Sequence, residues 1–121
     1  MAEDRNVTGI LTTPVSLLLN TSDIPWGKWQ IYPSQQVPAG AKEQKIFYAM
    51  GRKGSATGTE GTVVYAAPDG TVFALYFDDP YSSGNNASIA IRSGQGGSYR
   101  CSVDFPRSGN SWTATYKIEK V

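Results

Sequence analysis

Three short segments hold the residues of this chain whose types and spacing suit binding chemistry. The first, Gly58-Thr59-Glu60-Gly61, places a carboxylate between glycines. Such a carboxylate can accept hydrogen bonds from backbone N–H groups that small neighbours leave accessible. Arg52 and Lys53 lie close in sequence and can pair with it. Two interpretations of Glu60 stay open: it stabilises the start of a strand, or it borders a ligand site.

The second segment, Asp78-Asp79-Pro80-Tyr81, ends an apolar run. Adjacent aspartates are compatible with calcium, which takes several carboxylate and carbonyl oxygens. Two carboxylates alone are a weak signal, so we interpret Asp78 and Asp79 as solvated loop charges and predict no metal site. Tyr81 is expected to be exposed and the preceding Phe77 to be part of the core. An aromatic ring at the end of a sheet suits a ligand-binding face.

The third segment, Trp26-Gly27-Lys28-Trp29, lies in a proline-containing stretch where two indoles are hard to bury fully. Tryptophan favours the membrane interface because its ring is apolar with one polar group. Lys28 can meet a lipid phosphate. We expect one of the two indoles to be buried, closing an end of the fold, and the other to be exposed. Aromatic platforms also bind sugars, so this segment does not separate lipid from glycan.

Several kinds of chemistry are excluded by composition. The 121 residues contain no histidine and one cysteine, so Ser-His-Asp and Cys-His mechanisms and the usual zinc sites are absent. Glu60 with Asp78 or Asp79 is the remaining pair for glycoside hydrolysis, but a small domain has little room for a sugar cleft. We therefore predict a protein that is not an enzyme and uses no cofactor. The net charge of +1, without a basic stripe, disfavours nucleic acid as a partner.

The elements that must position these residues are predicted to be strands. Apolar alternation or short apolar runs, separated by Gly/Pro turns, predict strands over 7–11, 15–19, 45–50, 62–67, 71–77, 88–92, 99–103 and 112–118. In the run 71–77 both faces are apolar, which predicts a central strand. The turn Pro68-Asp69-Gly70 before it is favourable because Pro presets φ and Gly accepts a positive φ.

This pattern predicts an all-β protein, a single-domain antiparallel β-sandwich spanning residues 1–121. The stretch 20–37, with its prolines and two tryptophans, is expected to be partly irregular. The charged N-terminus leads into no long apolar segment, so no signal peptide is predicted. We expect synthesis in the cytosol and action at target membranes after release.

From Pro25 to Asn86 the chain resembles the aegerolysins. The likeness rests on the ordered set Trp26-Gly27-Lys28-Trp29, Gly51-Arg52, Gly58-Thr59-Glu60-Gly61 and Tyr76-Phe77-Asp78-Asp79-Pro80-Tyr81. The portion from Glu60 to Asn85 is most similar to the small component of bacterial binary insecticidal crystal proteins. Two departures are a near-neutral charge, where family members are often acidic, and Tyr81, where fungal members tend to carry Trp.

The resemblance implies a β-sandwich that recognises a membrane sphingolipid or related lipid. It implies a monomer or weak oligomer in solution and a larger pore-forming protein partner, as in a two-component cytolysin or insecticidal toxin with haemolytic activity. Carried over residue by residue, it assigns lipid binding to Trp26, Lys28, Trp29, Glu60 and Tyr81, with Asp78 and Asp79 at the edge of the site. A second resemblance, to actinoporin-like fungal fruit-body lectins, implies instead a carbohydrate-binding protein.

Overall fold

The computed structural model describes residues 5–121, which form two five-stranded sheets packed face to face. The first sheet has the order β3 (Lys28–Ile31), β5 (Ala41–Met50), β1 (Asn6–Thr13), β10 (Ser111–Lys120), β9 (Tyr99–Asp104). The second has the order β4 (Gln36–Val37), β2 (Leu17–Trp26), β6 (Thr59–Ala66), β7 (Val72–Asp79), β8 (Asn86–Ser93). The predicted antiparallel β-sandwich is confirmed, with one parallel pair, β1 with β10.

The core lies between the sheets and follows the predicted alternation. In β10, Trp112, Ala114, Tyr116 and Ile118 are buried, while the residues between them face outward or are only partly covered. In β7, Phe73, Leu75 and Phe77 are all fully buried. Because β7 is flanked by β6 and β8, its outward side chains are also partly covered, as expected of a central strand.

Strand directions bring several loops to one end of the sandwich, here called the Trp26 end. β2 finishes there at Trp26 and β7 at Asp79, while β6 begins there at Thr59. In the first sheet, Asn6 pairs with both Met50 and Ser111 at the same end. The segments 51–58 and 80–85 therefore both lie at the Trp26 end.

The stretch 20–37 is more regular than expected. β2 continues through Pro25 to Trp26, and β3 follows after a single residue, Gly27. Register shifts between Asp23 and Trp26, and between Trp29 and Ile31, absorb the irregularity that the prolines and tryptophans suggested. Proline is tolerated in β2 because this part of the strand lies at the sheet edge: β4 pairs only with Leu17 and Leu18.

Gly27 makes the sharp passage from the second sheet to the first. Its φ is +95°, and a Cβ there would lie 2.4 Å from Thr59 Oγ1. The Thr59 hydroxyl donates to the Trp26 carbonyl (3.1 Å), and the Arg52 Nε donates to the Gly27 carbonyl (3.0 Å). These two hydrogen bonds therefore fix the backbone on both sides of the turn at Gly27. Within residues 5–121, no helix has the length and apolarity needed to cross a membrane.

Candidate functional site

A row of four directly paired residues crosses the outer face of the second sheet at its Trp26 end. Trp26 pairs with Glu60, Glu60 with Asp78, and Asp78 with Asn86. Paired residues of neighbouring strands present their side chains on the same face within contact reach. The register thus sets an indole, two carboxylates and an amide side by side; this set is called the Trp26 row below.

Tyr76 lies next to the Trp26 row, two residues before Asp78 on the same face of β7. The Tyr76 hydroxyl donates a short hydrogen bond to Glu60 Oε2. Burial, followed by the hydrogen bond to Glu60, raises the pKa of Tyr76, so its proton stays in place at neutral pH. The Glu60 carboxyl is thereby held in place by a neutral donor.

The two carboxylates of the row influence each other. Burial and then the charge of Glu60 raise the pKa of Asp78 above its ordinary value. Both side chains are half-buried, and like charges on paired residues repel. A cation or a hydrogen-bond donor placed between Glu60 and Asp78 would relieve that repulsion, which makes this part of the row attractive to a positively charged group.

The two tryptophans have different surroundings: one is exposed, as expected, but the other is half-buried and not buried. Trp26 is 51% exposed. Trp29 is half-buried, and its ring meets Phe47 and Phe77 edge-on, with centroids 5.4 and 5.8 Å apart. Trp26 is therefore the indole available to a ligand, whereas Trp29 mainly closes the open side of the sandwich.

Two exposed apolar residues beside Trp29 were missed by the sequence analysis. Ile31 is 47% and Tyr32 57% exposed, and the Tyr32 ring lies 6.3 Å from that of Trp29. The Tyr32 hydroxyl accepts a hydrogen bond from Ser22 of β2 (2.9 Å). The alternation of Trp29 and Ile31 was a strand signal that the expected irregularity of this stretch obscured.

Asp79 does not lie where it was expected. It is the last residue of β7, it points inward, and it is 0% exposed, so its interpretation as a solvated loop charge is wrong. The physical reason is the strand period: Asp79 follows Phe77 on the inner face, whereas Asp78 lies on the outer face with Tyr76. A ligand on the outer face meets Asp78 and not Asp79.

Tyr81 and Lys28 lie at the Trp26 end but outside the row. Tyr81, 37% exposed, belongs to the segment after β7, and the Arg5 guanidinium lies over its ring, 5.2 Å from the centroid. Lys28 is exposed at the start of β3, next to the Gly27 corner. The expected pairing of Arg52 with Glu60 is replaced by the Arg52 bond to the Gly27 carbonyl.

The seven predicted site residues thus lie at one end of the sandwich but on different surfaces. Trp26, Glu60 and Asp78 lie together on the outer face of the second sheet. Lys28 and Tyr81 lie at the same end but outside this row, and Trp29 and Asp79 are turned toward the core. Among residues 5–121, no group of three or more Asp, Glu or Cys side chains is arranged to hold a metal ion.

Two cavities lie at the opposite end. The larger, about 590 Å³, is lined by Leu17, Leu18, Val37, Pro38 and Pro68 among others, where β2, β4 and β6 meet. The second, about 320 Å³, lies between the ends of β1 and β10 and the start of β5. Neither cavity is lined by a residue of the Trp26 row.

Residues 13–103 match the family model for Aegerolysin. The chain belongs to the aegerolysin family. The match includes β2 to β8, all of β9 except its last residue, and all seven predicted site residues, and it extends well beyond the stretch 25–86 on which the sequence resemblance rested. No curated protein sequence matches this aegerolysin significantly.

Solved structures similar to this aegerolysin share its fold at low sequence identity. The lipid binding protein Nakanori has a TM-score of 0.84 and 10% identity, with 96% of this chain and 71% of that chain covered. The RahU protein, solved in complex with a TRIS molecule, has a TM-score of 0.75 and 18% identity over 99% and 98% of the two chains. The Xerocomus chrysenteron lectin XCL has a TM-score of 0.62 and 10% identity over 95% and 99%.

Proposed function

We propose that this aegerolysin binds membrane lipids through the Trp26 end of its sandwich and does no catalysis. The observation that carries the proposal is the Trp26 row, which sets a half-exposed indole beside two carboxylates on an open face. A flat, accessible face can meet a headgroup in a bilayer without extracting the lipid. Membership of the aegerolysin family and the fold shared with the lipid binding protein Nakanori support this proposal.

The chemistry of the row fits a zwitterionic headgroup. The pair Glu60 and Asp78 attracts an ammonium group, and an indole face adds a favourable cation–π contact, worth about 0.5–2 kcal/mol. Lys28, exposed beyond the Gly27 corner, supplies a positive charge for a phosphate. A membrane sphingolipid with a phosphocholine or phosphoethanolamine headgroup offers both charges, and we propose this class as the ligand.

Within a toxin system, we propose that the protein is the targeting component of a two-component pore-forming cytolysin or insecticidal toxin. It is made in the cytosol, acts at target membranes after release, and recruits a larger pore-forming protein partner there. This role predicts that the isolated protein binds vesicles without releasing an entrapped dye. Release of calcein by the protein alone, at concentrations where it is bound, would contradict the targeting role and leave lipid binding intact.

Binding is tested by co-sedimentation with phosphatidylcholine vesicles that contain or lack sphingomyelin or ceramide phosphoethanolamine. Trp26→Ala should abolish most binding to the vesicles that the wild-type protein prefers. Leu18→Ala is the matched control, because Leu18 is 59% exposed on the same face of the second sheet but at the opposite end. Equal loss in both variants would show that the binding is general adhesion of exposed apolar residues.

A carbohydrate-binding function is the second candidate, because the fold is shared with the lectin XCL and an aromatic ring beside carboxylates also suits sugar hydroxyls. Saturable binding to immobilised glycans, abolished by Trp26→Ala or Tyr81→Ala, would favour this function. Vesicle binding that persists in excess free sugar would favour the lipid.

A further inference from the structure

The carboxyl group of Asp79 has an unusual environment for a charged residue. Its side chain is fully buried, and neither oxygen has a partner at hydrogen-bonding geometry. The indole nitrogen of Trp112, also buried, is likewise without such a partner. The indole is nevertheless near enough to Asp79 to lower the pKa of the carboxyl. An ionised carboxylate without hydrogen bonds in a protein interior is costly, so this site favours the neutral acid.

The groups around Asp79 only partly offset its preference for the neutral acid. Burial is the dominant influence and raises the pKa of Asp79 from 3.8 to about 7. Trp112 of β10, the Arg5 charge before β1 and the backbone N–H of Asn6 in β1 lower it, while Asp78 on the same strand raises it. Asp79 therefore changes its charge in the neutral range, unlike an ordinary aspartate.

Asp79 is also connected to the segment 80–85, here called the Tyr81 loop. It is the last residue of β7, and the loop begins at the next residue. The Arg5 guanidinium, which attracts the Asp79 carboxylate, lies over the Tyr81 ring. Gly58 packs against the base of the loop: a Cβ there would lie 2.2 Å from the Asp79 carbonyl oxygen and 3.0 Å from the Tyr81 nitrogen.

We propose that proton binding to the buried Asp79 carboxyl is a switch that controls the conformation of the Tyr81 loop. With the proton bound, the carboxyl is neutral, and Arg5 holds the Tyr81 ring as the structure shows. When the proton is lost to solvent, the carboxylate requires hydrogen bonds and a counter-charge. Water entering at the end of β7, and Arg5 turning from Tyr81 toward Asp79, supply both and loosen the loop.

A consequence for lipid binding follows, and it rests on the proposed function. The Tyr81 loop directly follows β7, which carries Asp78 of the Trp26 row, so a loosened loop must be re-ordered when a lipid binds at this end. If only the closed loop binds, vesicle affinity falls with the closed fraction, by up to about tenfold for each pH unit above the transition. Vesicles would then be bound more tightly at mildly acidic pH than at neutral pH.

The switch itself is tested without lipid, on the wild-type protein. Carbon-detected NMR of the side-chain carboxyl carbons, followed from pH 4 to 9, should show Asp79 titrating near neutrality. Hydrogen exchange of the Tyr81 loop, corrected for the intrinsic pH dependence, should lose protection over the same range. An Asp79 midpoint below pH 5, or loop protection that does not change with pH, would overturn the proposal.

Two variants separate Asp79 from its neighbours. Asp79→Asn should make loop protection independent of pH, whereas Asp104→Asn, at an exposed position of β9, should behave as wild type. An Asp79→Asn variant with the wild-type pH dependence would refute the switch. Vesicle binding to sphingomyelin and phosphatidylcholine, which remain zwitterionic over this range, is measured last. Its absence at every pH would contradict the proposed function but not the switch.

Discussion

The two tryptophans of the segment 26–29 should separate stability from binding. Trp29→Ala removes a ring that contacts Phe47 and Phe77, both fully buried, and that also meets Tyr32 edge-on. Trp26→Ala removes a ring that is half in solvent. We expect Trp29→Ala to destabilise the fold strongly and Trp26→Ala to lower its free energy of unfolding much less.

The magnitude follows from the surface that each ring buries. An aromatic side chain buries about 150–250 Å² when covered, at about 25 cal/mol per Å², which gives about 4–6 kcal/mol for full burial. Because Trp29 is only partly covered, we expect a loss of about 3 kcal/mol for Trp29→Ala. Trp26 is half exposed and makes none of the ring contacts of Trp29, so for Trp26→Ala we expect a smaller loss of about 1–2 kcal/mol.

Urea unfolding followed by circular dichroism measures both values, with vesicle co-sedimentation on the same samples. Trp29→Ala should lower the unfolding midpoint strongly, whereas Trp26→Ala should lower it only slightly but lose vesicle binding. A Trp26→Ala variant destabilised as much as Trp29→Ala would show that Trp26 is a structural residue and would refute its assignment to the binding face.

Three further outcomes are expected. The pKa of Asp79 in the folded protein is raised to about 7, so between pH 4 and 7 the unfolded chain loses this proton while the folded protein keeps it. The free energy of unfolding should therefore fall by up to about 4 kcal/mol between pH 4 and 7 and then level off. Urea titrations at several pH values should show this decline in the wild type and its removal in Asp79→Asn. Gly58→Ala should cost about 2 kcal/mol or more in urea unfolding, against about 1 kcal/mol for Gly54→Ala, because both glycines have positive φ but only Gly58 lacks space for a Cβ; equal losses would contradict this reasoning. Phe73→Ala should lower the free energy of unfolding by about 3–5 kcal/mol, since Phe73 is fully buried, and a loss under about 1 kcal/mol would place it outside the core.

Much of the fold is predictable because its strands alternate with the period of a half-buried sheet. In β10, Trp112 and Tyr116 mark one face so regularly that the inward side follows directly from the sequence. What the sequence does not contain is pairing: nothing local indicates that β1 lies parallel to β10 across nearly the whole chain. This pairing is visible only in the assembled first sheet, where the two ends of the chain meet.

The site is predictable in its residues but not in its arrangement. The sequence indicated Trp26, Glu60 and Asp78, yet their union in one row depends on the register of β2, β6 and β7. Asp79 was misassigned because two adjacent aspartates look alike in a sequence, whereas a strand sends them to opposite faces. Ile31 was missed because two prolines nearby suggested an irregular segment, although only Pro25 lies within a strand and Pro33 follows one.

The most direct test of the central claim is the affinity of the wild-type protein for sphingomyelin–phosphatidylcholine vesicles compared with phosphatidylcholine vesicles, with tryptophan fluorescence recorded during the titration. Binding confined to sphingolipid vesicles, with a blue shift that Trp26→Ala removes and Leu18→Ala retains, is the result that the Trp26 row predicts. Absence of binding to sphingomyelin and to ceramide phosphoethanolamine vesicles alike, or a blue shift unchanged in Trp26→Ala, would contradict lipid recognition by this face.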